Sequence, residues 1–158
     1  MTIKNPYLKI FLQALAIAGF GFILLTFTFL FDFIFQSLID LIIRPFAPVD
    51  FNMTWNWVAP FKHWLFVLVI GLISWWVFRT KLNTLYKAIF ITVPTAVVLA
   101  TIGLTFFHWP VIVYTVGGLL TLGVLYYFYK TKQPWFYYFA VVSVAVLLMI
   151  MTVTGVEI

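Results

Sequence analysis

The sequence predicts an all-α integral membrane protein, one bundle of five transmembrane helices. Three observations predict it. Of 158 residues, 65% are hydrophobic and 8% are charged, whereas a soluble domain carries about 25% charged residues. No water-soluble fold of this size buries so much apolar surface. Ile10 to Phe31 runs for 22 residues without a charge, enough to cross a hydrocarbon core of about 30 Å. Ala88 to Tyr129 has no Asp, Glu, Lys or Arg over 42 residues. As one helix it would reach about 63 Å, twice the membrane, so it must fold back.

Met1 to Lys9 is a short polar lead. Lys4 and Lys9 before an apolar run resemble a signal peptide, but the run is too long for one, and a retained first span is expected. That span covers about 10–31. Ala14, Ala18, Gly19 and Gly21 are small residues that allow close helix packing. Polar groups then return every four residues, at Asp32, Gln36, Asp40 and Arg44. This spacing sets them on one side of a helix, with Ile34, Phe35, Leu38, Leu41 and Ile42 on the other. The pattern predicts an amphipathic helix at the membrane surface, over about 32–45. Asp40 and Arg44 suit an ordinary four-apart ion pair.

Arg44 to Lys62 is the longest connection, interrupted by Pro45, Pro48 and Pro60. Trp55 and Trp57 suit the headgroup level, so the loop is expected to lie on the membrane. Asn52-Met53-Thr54 fits the glycosylation acceptor pattern, but a loop held on the membrane is a poor acceptor. The second span covers about 58–78 and is followed by Arg79, Lys81 and Lys87. His108-Trp109-Pro110 is the turn that divides the uncharged stretch into spans of about 88–107 and 111–129. Pro94 should kink the third span, with Thr92 and Thr95 near the freed carbonyl. Lys130 and Lys132 occupy a tight turn ending at Pro134, and the fifth span covers about 135–153. Residues 1–158 form a single polytopic domain with no internal repeat.

Basic residues set the orientation. With the N-terminus cytoplasmic, the inner segments hold Lys4, Lys9, Arg79, Lys81, Lys87, Lys130 and Lys132, and the outer ones Arg44 and Lys62. The C-terminus then lies outside, in a plasma or inner membrane. All four acids, Asp32, Asp40, Asp50 and Glu157, fall on outer segments. The net charge of +5 is scattered between spans. It builds no solvated basic face, so nucleic acid is not an expected partner. The chain has no cysteine, which excludes disulfides, thiolate metal sites and cysteine nucleophiles.

The outer polar groups are the candidate ligand-binding residues: Asp32, Gln36, Asp40, Arg44, Trp57, Lys62, His63 and His108. Asp32 stands out, because an acid at the edge of a span is a functional candidate by default. On a continuous helix Asp32 and Asp40 are about 12 Å apart, too far to act as paired carboxylates. A zinc site would need His63 and His108 together with Asp32 or Asp50, and no HExxH spacing exists. His63 is placed at the outer start of the second span and His108 at the turn after the third, whereas bis-histidine haem requires histidines deep inside the spans. No metal or cofactor is expected, and no catalytic residue is assigned. No nucleophile elbow or phosphate loop is present.

Trp55-Asn56-Trp57-Val58-Ala59-Pro60 and Trp75-Trp76 are similar to the loop and second helix of the tryptophan-rich sensory (translocator) protein family. The family's tandem prolines before the second helix are missing here. Phe90 to Phe107 has no Asn or Trp, unlike its third helix. The resemblance covers that one segment and carries no membership. It implies an apolar-ligand site open to the outer leaflet.

Three functions remain in view. The first is a non-enzymatic accessory or scaffold subunit of a membrane complex, with another membrane protein or a second copy as partner. The second is binding or transport of an apolar or amphipathic ligand, or lipid, in the outer leaflet. The third is an enzyme acting at the outer face on a lipid-linked substrate, with Asp32, Asp40, His63 and His108 as acid–base or metal groups. The first leads, because polar groups are few.

Overall fold

The computed structural model describes residues 6–43, 45 and 58–154. Five helices follow in order: α1 (Pro6–Ile43), α2 (Val58–Arg79), α3 (Thr84–Thr105), α4 (Pro110–Lys130) and α5 (Trp135–Thr154). All five are long and apolar enough to cross a membrane, and the chain is an integral membrane protein. There is no strand among the described residues. The turn at His108-Trp109 is present, and Pro110 opens α4, where its missing N–H has no helical partner to lose.

The 32–43 stretch differs from expectation. It is not a separate surface helix but the last turns of α1, which runs without a break for 38 residues. No proline interrupts the chain between Pro6 and Pro45, and the apolar positions keep helical spacing through Asp32, so nothing ends the helix earlier. At about 1.5 Å per residue α1 is about 57 Å long, against roughly 30–33 Å for the others.

α3 is the centre. It touches all four other helices, whereas α2 touches only α1 and α3, and α4 only α3 and α5. Ile17 clusters with Ile89 and Ala140, and Leu25 with Ala96 and Val144. Residue numbers rise together along α1, α3 and α5, so these three run parallel. Gly21 makes the α1–α3 approach possible: a Cβ there would sit 3.2 Å from Cγ2 of the buried Thr92. The same register aligns α3 with roughly residues 12–34 of α1. About nine residues of α1, some 13 Å, therefore project past the end of α3, beside the first turns of α2.

Pro94 lies within α3. The Thr92 hydroxyl donates to the Ile89 carbonyl at 2.7 Å and that of Thr95 to Ile91 at 2.8 Å. Neither serves the Phe90 carbonyl, the one Pro94 would have paired. A threonine reaches back three or four residues, and positions 93 and 94 are not threonine.

The ends near Lys130 are closed by local bonds. The Asn83 side chain accepts the Leu85 N–H at 3.2 Å, and Lys87 Nζ donates to the Phe78 carbonyl at the end of α2 at 2.9 Å. After α4, Gln133 N–H donates to Phe128 and Lys132 N–H to Tyr129, a Schellman turn with Lys132 at φ 51°.

Candidate functional site

The candidate site lies where α1 passes the first turns of α2. Phe31 and Phe35 stack on Phe66 at 5.8 and 5.5 Å. This aromatic contact sets the two helices side by side, and the polar row of α1 follows directly above it. Gln36 Nε2 donates to Asp32 Oδ2 at 2.7 Å and approaches His63 Nδ1 at 3.2 Å. Asp32 Oδ2 and His63 Nδ1 are 3.8 Å apart, with the amide between them. One turn further, Lys62 Nζ donates to both Asp40 oxygens at 2.8 and 3.0 Å.

The surroundings of the two pairs differ. Side-chain exposure is 18% at Asp32 and 22% at His63, but 52% at Asp40. Asp32 Oδ1 is buried and has no hydrogen-bond partner, a costly condition for a carboxylate oxygen. The one other such atom among the described residues is the Thr105 hydroxyl, at the end of α3 that points the same way.

The row therefore faces α2, while Ile34, Leu38, Leu41 and Ile42 face outward and are exposed. Phe35, expected on their side, packs instead against Phe66 of α2. A membrane bundle inverts the pattern of a water-soluble helix, because polar groups find partners inside it.

Five of the eight candidates are thus brought together: Asp32, Gln36 and His63 in one network, Asp40 and Lys62 in the other. His108 joins neither. Its ring lies against Phe107, 3.8 Å between centroids, and it makes no hydrogen bond or ion pair with Asp32, Gln36 or His63. Arg44 and Trp57 lie outside the described residues, as does the expected Asp40–Arg44 pairing. The observed partner of Asp40 is Lys62. No three of His, Asp and Glu gather as a metal-holding group among the described residues.

Chemically, the arrangement fastens two helices. The carboxylate and imidazole are held apart by an amide that bonds to both. The serine hydroxyls point elsewhere: Ser37, Ser74 and Ser143 donate to the carbonyls of Phe33, Ile70 and Ala140 on their own helices. None is aligned with His63 as a nucleophile would be.

A second feature was not anticipated. A groove of about 490 Å³ runs along α4, lined by Val116, Leu119, Leu120, Gly123, Val124 and Tyr127. The signal was present in the sequence: a glycine amid apolar residues at helical spacing, one turn before a tyrosine. The chain matches no protein-family model, no curated protein and no solved structure.

Proposed function

We propose that this protein is a non-enzymatic accessory or scaffold subunit, which binds another membrane protein through the projecting end of α1. One observation carries the reading. Past the end of α3, where only the first turns of α2 accompany it, α1 continues with Leu38, Leu41 and Ile42 exposed at 53%, 68% and 66%. Headgroups extend only about 5–7 Å beyond each side of the hydrocarbon. With the hydrocarbon edge at the end of α3, the overhang exceeds that depth and lipid tails do not reach the last turn. Its ties to α2 through Asp40–Lys62 and Gln36–His63 keep it from lying down in the interface. Burying a leucine or isoleucine contributes about 2 kcal/mol, which favours an apolar partner over water at each position.

The bias of basic residues supports an N-terminus in the cytoplasm and a C-terminus outside, in an inner or plasma membrane. The projecting end then lies outside.

Photo-crosslinkers at Leu38 and Leu41, followed by mild-detergent extraction from the native membrane, test the proposal. A single partner protein should be captured at both positions. Leu38→Glu with Leu41→Glu should release it without changing the melting temperature of the isolated chain. A monodisperse monomer with cross-links only to lipid would overturn the reading.

A further inference from the structure

We propose that the basic end of α4 binds an anionic phospholipid. Its phosphate lies at Lys130 and Lys132, and one acyl chain occupies the groove that ends at Tyr127. This site is at the opposite end of the bundle from the projection of α1 and does not depend on the assembly reading.

The groove supplies the apolar half. Its six lining residues all belong to α4 and recur at steps of three and four, so they form one face about 16 Å long. Gly123 is its low point, since a Cβ there would meet nothing within 4 Å. Tyr127 closes the groove toward the membrane surface, 61% exposed. Its hydroxyl end is wet and its ring apolar, as suits the level of a lipid ester.

The lysines supply the charged half. Lys130 lies one turn past Tyr127 on the same side of α4. Lys132 follows in the Schellman turn, its backbone held by the bonds described above. Of the other cations at this end, Arg79 lies 4.0 Å over the Trp75 ring and Lys87 caps α2. The ammonium groups of Lys130 and Lys132 have no hydrogen-bond or ion-pair partner among the described residues. Both described acids, Asp32 and Asp40, are at the other end of the bundle, so no described carboxylate neutralises this one.

An unmatched positive pair at the mouth of an apolar groove fits one ligand class best. A zwitterionic lipid fills the groove but brings no net charge. Free phosphate brings the charge but leaves the groove empty. A second copy packed along α4 about an axis normal to the membrane would bring its own lysines to the same level, which is repulsive.

The test is native mass spectrometry of the full chain with equal amounts of phosphatidylglycerol and phosphatidylcholine of matched acyl chains. The parent should retain phosphatidylglycerol about thirtyfold over phosphatidylcholine, as expected for two surface lysines. Lys130→Gln with Lys132→Gly should bring the ratio near one, with the glycine preserving the left-handed turn. Gly123→Leu, which fills open space, should reduce retention of both lipids with an unchanged circular dichroism spectrum. Equal retention by the parent overturns the proposal. So does a preference that survives the lysine variant, retention unchanged by Gly123→Leu, binding of inorganic phosphate without lipid, or a lipid-free dimer cross-linked through α4.

Discussion

The amide nitrogen of Gln36 lies 3.2 Å from Nδ1 of His63, and the same nitrogen lies 2.7 Å from Asp32 Oδ2. An amide oxygen in that place would face a carboxylate oxygen, so the orientation of Gln36 is set by Asp32. Two N–H groups then serve two acceptors, and His63 Nδ1 accepts. Gln36→Leu should remove both bonds and leave Asp32 buried without a donor, at a cost of about 1–3 kcal/mol. Asp32→Leu combined with Gln36→Leu should cost less than Gln36→Leu alone, because no orphaned carboxylate remains. Melting temperatures in a single detergent check the order. A double variant less stable than Gln36→Leu would contradict it.

The Asp40–Lys62 pair is weaker. Asp40 is half exposed, and exposed ion pairs contribute at most about 1 kcal/mol. Lys62→Met should leave the global melting temperature nearly unchanged and speed amide exchange in the last turns of α1. Exchange unchanged across residues 38–43 would show that the pair does not hold the projection.

Two glycines two residues apart should respond oppositely. Gly19 has open space where a Cβ would go, and Gly21 has Thr92 at 3.2 Å. Gly19→Ala should stabilise by about 0.5–1 kcal/mol through helix propensity. Gly21→Leu should destabilise by about 1–3 kcal/mol through overpacking against α3. Equal effects in thermal unfolding would mean that α1 and α3 do not approach at Gly21.

Lys132 occupies a left-handed conformation at φ 51°, which costs a side-chain-bearing residue about 1–2 kcal/mol. Lys132→Gly should therefore raise the melting temperature, and Lys132→Val should lower it. A stabilising valine would refute the turn geometry.

Five spans place the termini on opposite sides. Thr2→Cys and Val156→Cys should each react with an impermeant maleimide from one side only, and from different sides. Labelling of both from the same side would rule out five crossings.

Much of the fold was legible because a bilayer is a demanding solvent. Uncharged length gave the span count, and Pro110 with its neighbours gave the turn inside the longest uncharged stretch. The expected limits of the second, fourth and fifth spans lie within one residue of the helices found. The third begins four residues earlier than expected, because Thr84 to Lys87 continue the helix with polar side chains that hydropathy alone discounts. What faced the row of Asp32, Gln36 and Asp40 was not legible. Spacing assigns residues to a side of a helix, but only packing decides whether that side meets water or α2. The pairing of His63 with Gln36 had the same limit. His63 and His108 were equivalent in sequence, and the approach of α2 to α1 separated them.

The central position of α3 bears on how the protein is made. Chains emerge N-terminus first, so α1 and α2 are in the membrane before the helix that joins them has been synthesised. The contacts they can share by then include those of Phe31 and Phe35 with Phe66 and the polar bonds above them. Those bonds lie at the end of the pair nearest the connecting loop, where a hairpin closes first. The clasp between Gln36 and His63 is thus among the few contacts that can align α1 with α2 before α3 is made. A nascent chain stalled after Arg79 is the stage at which its loss would be felt most.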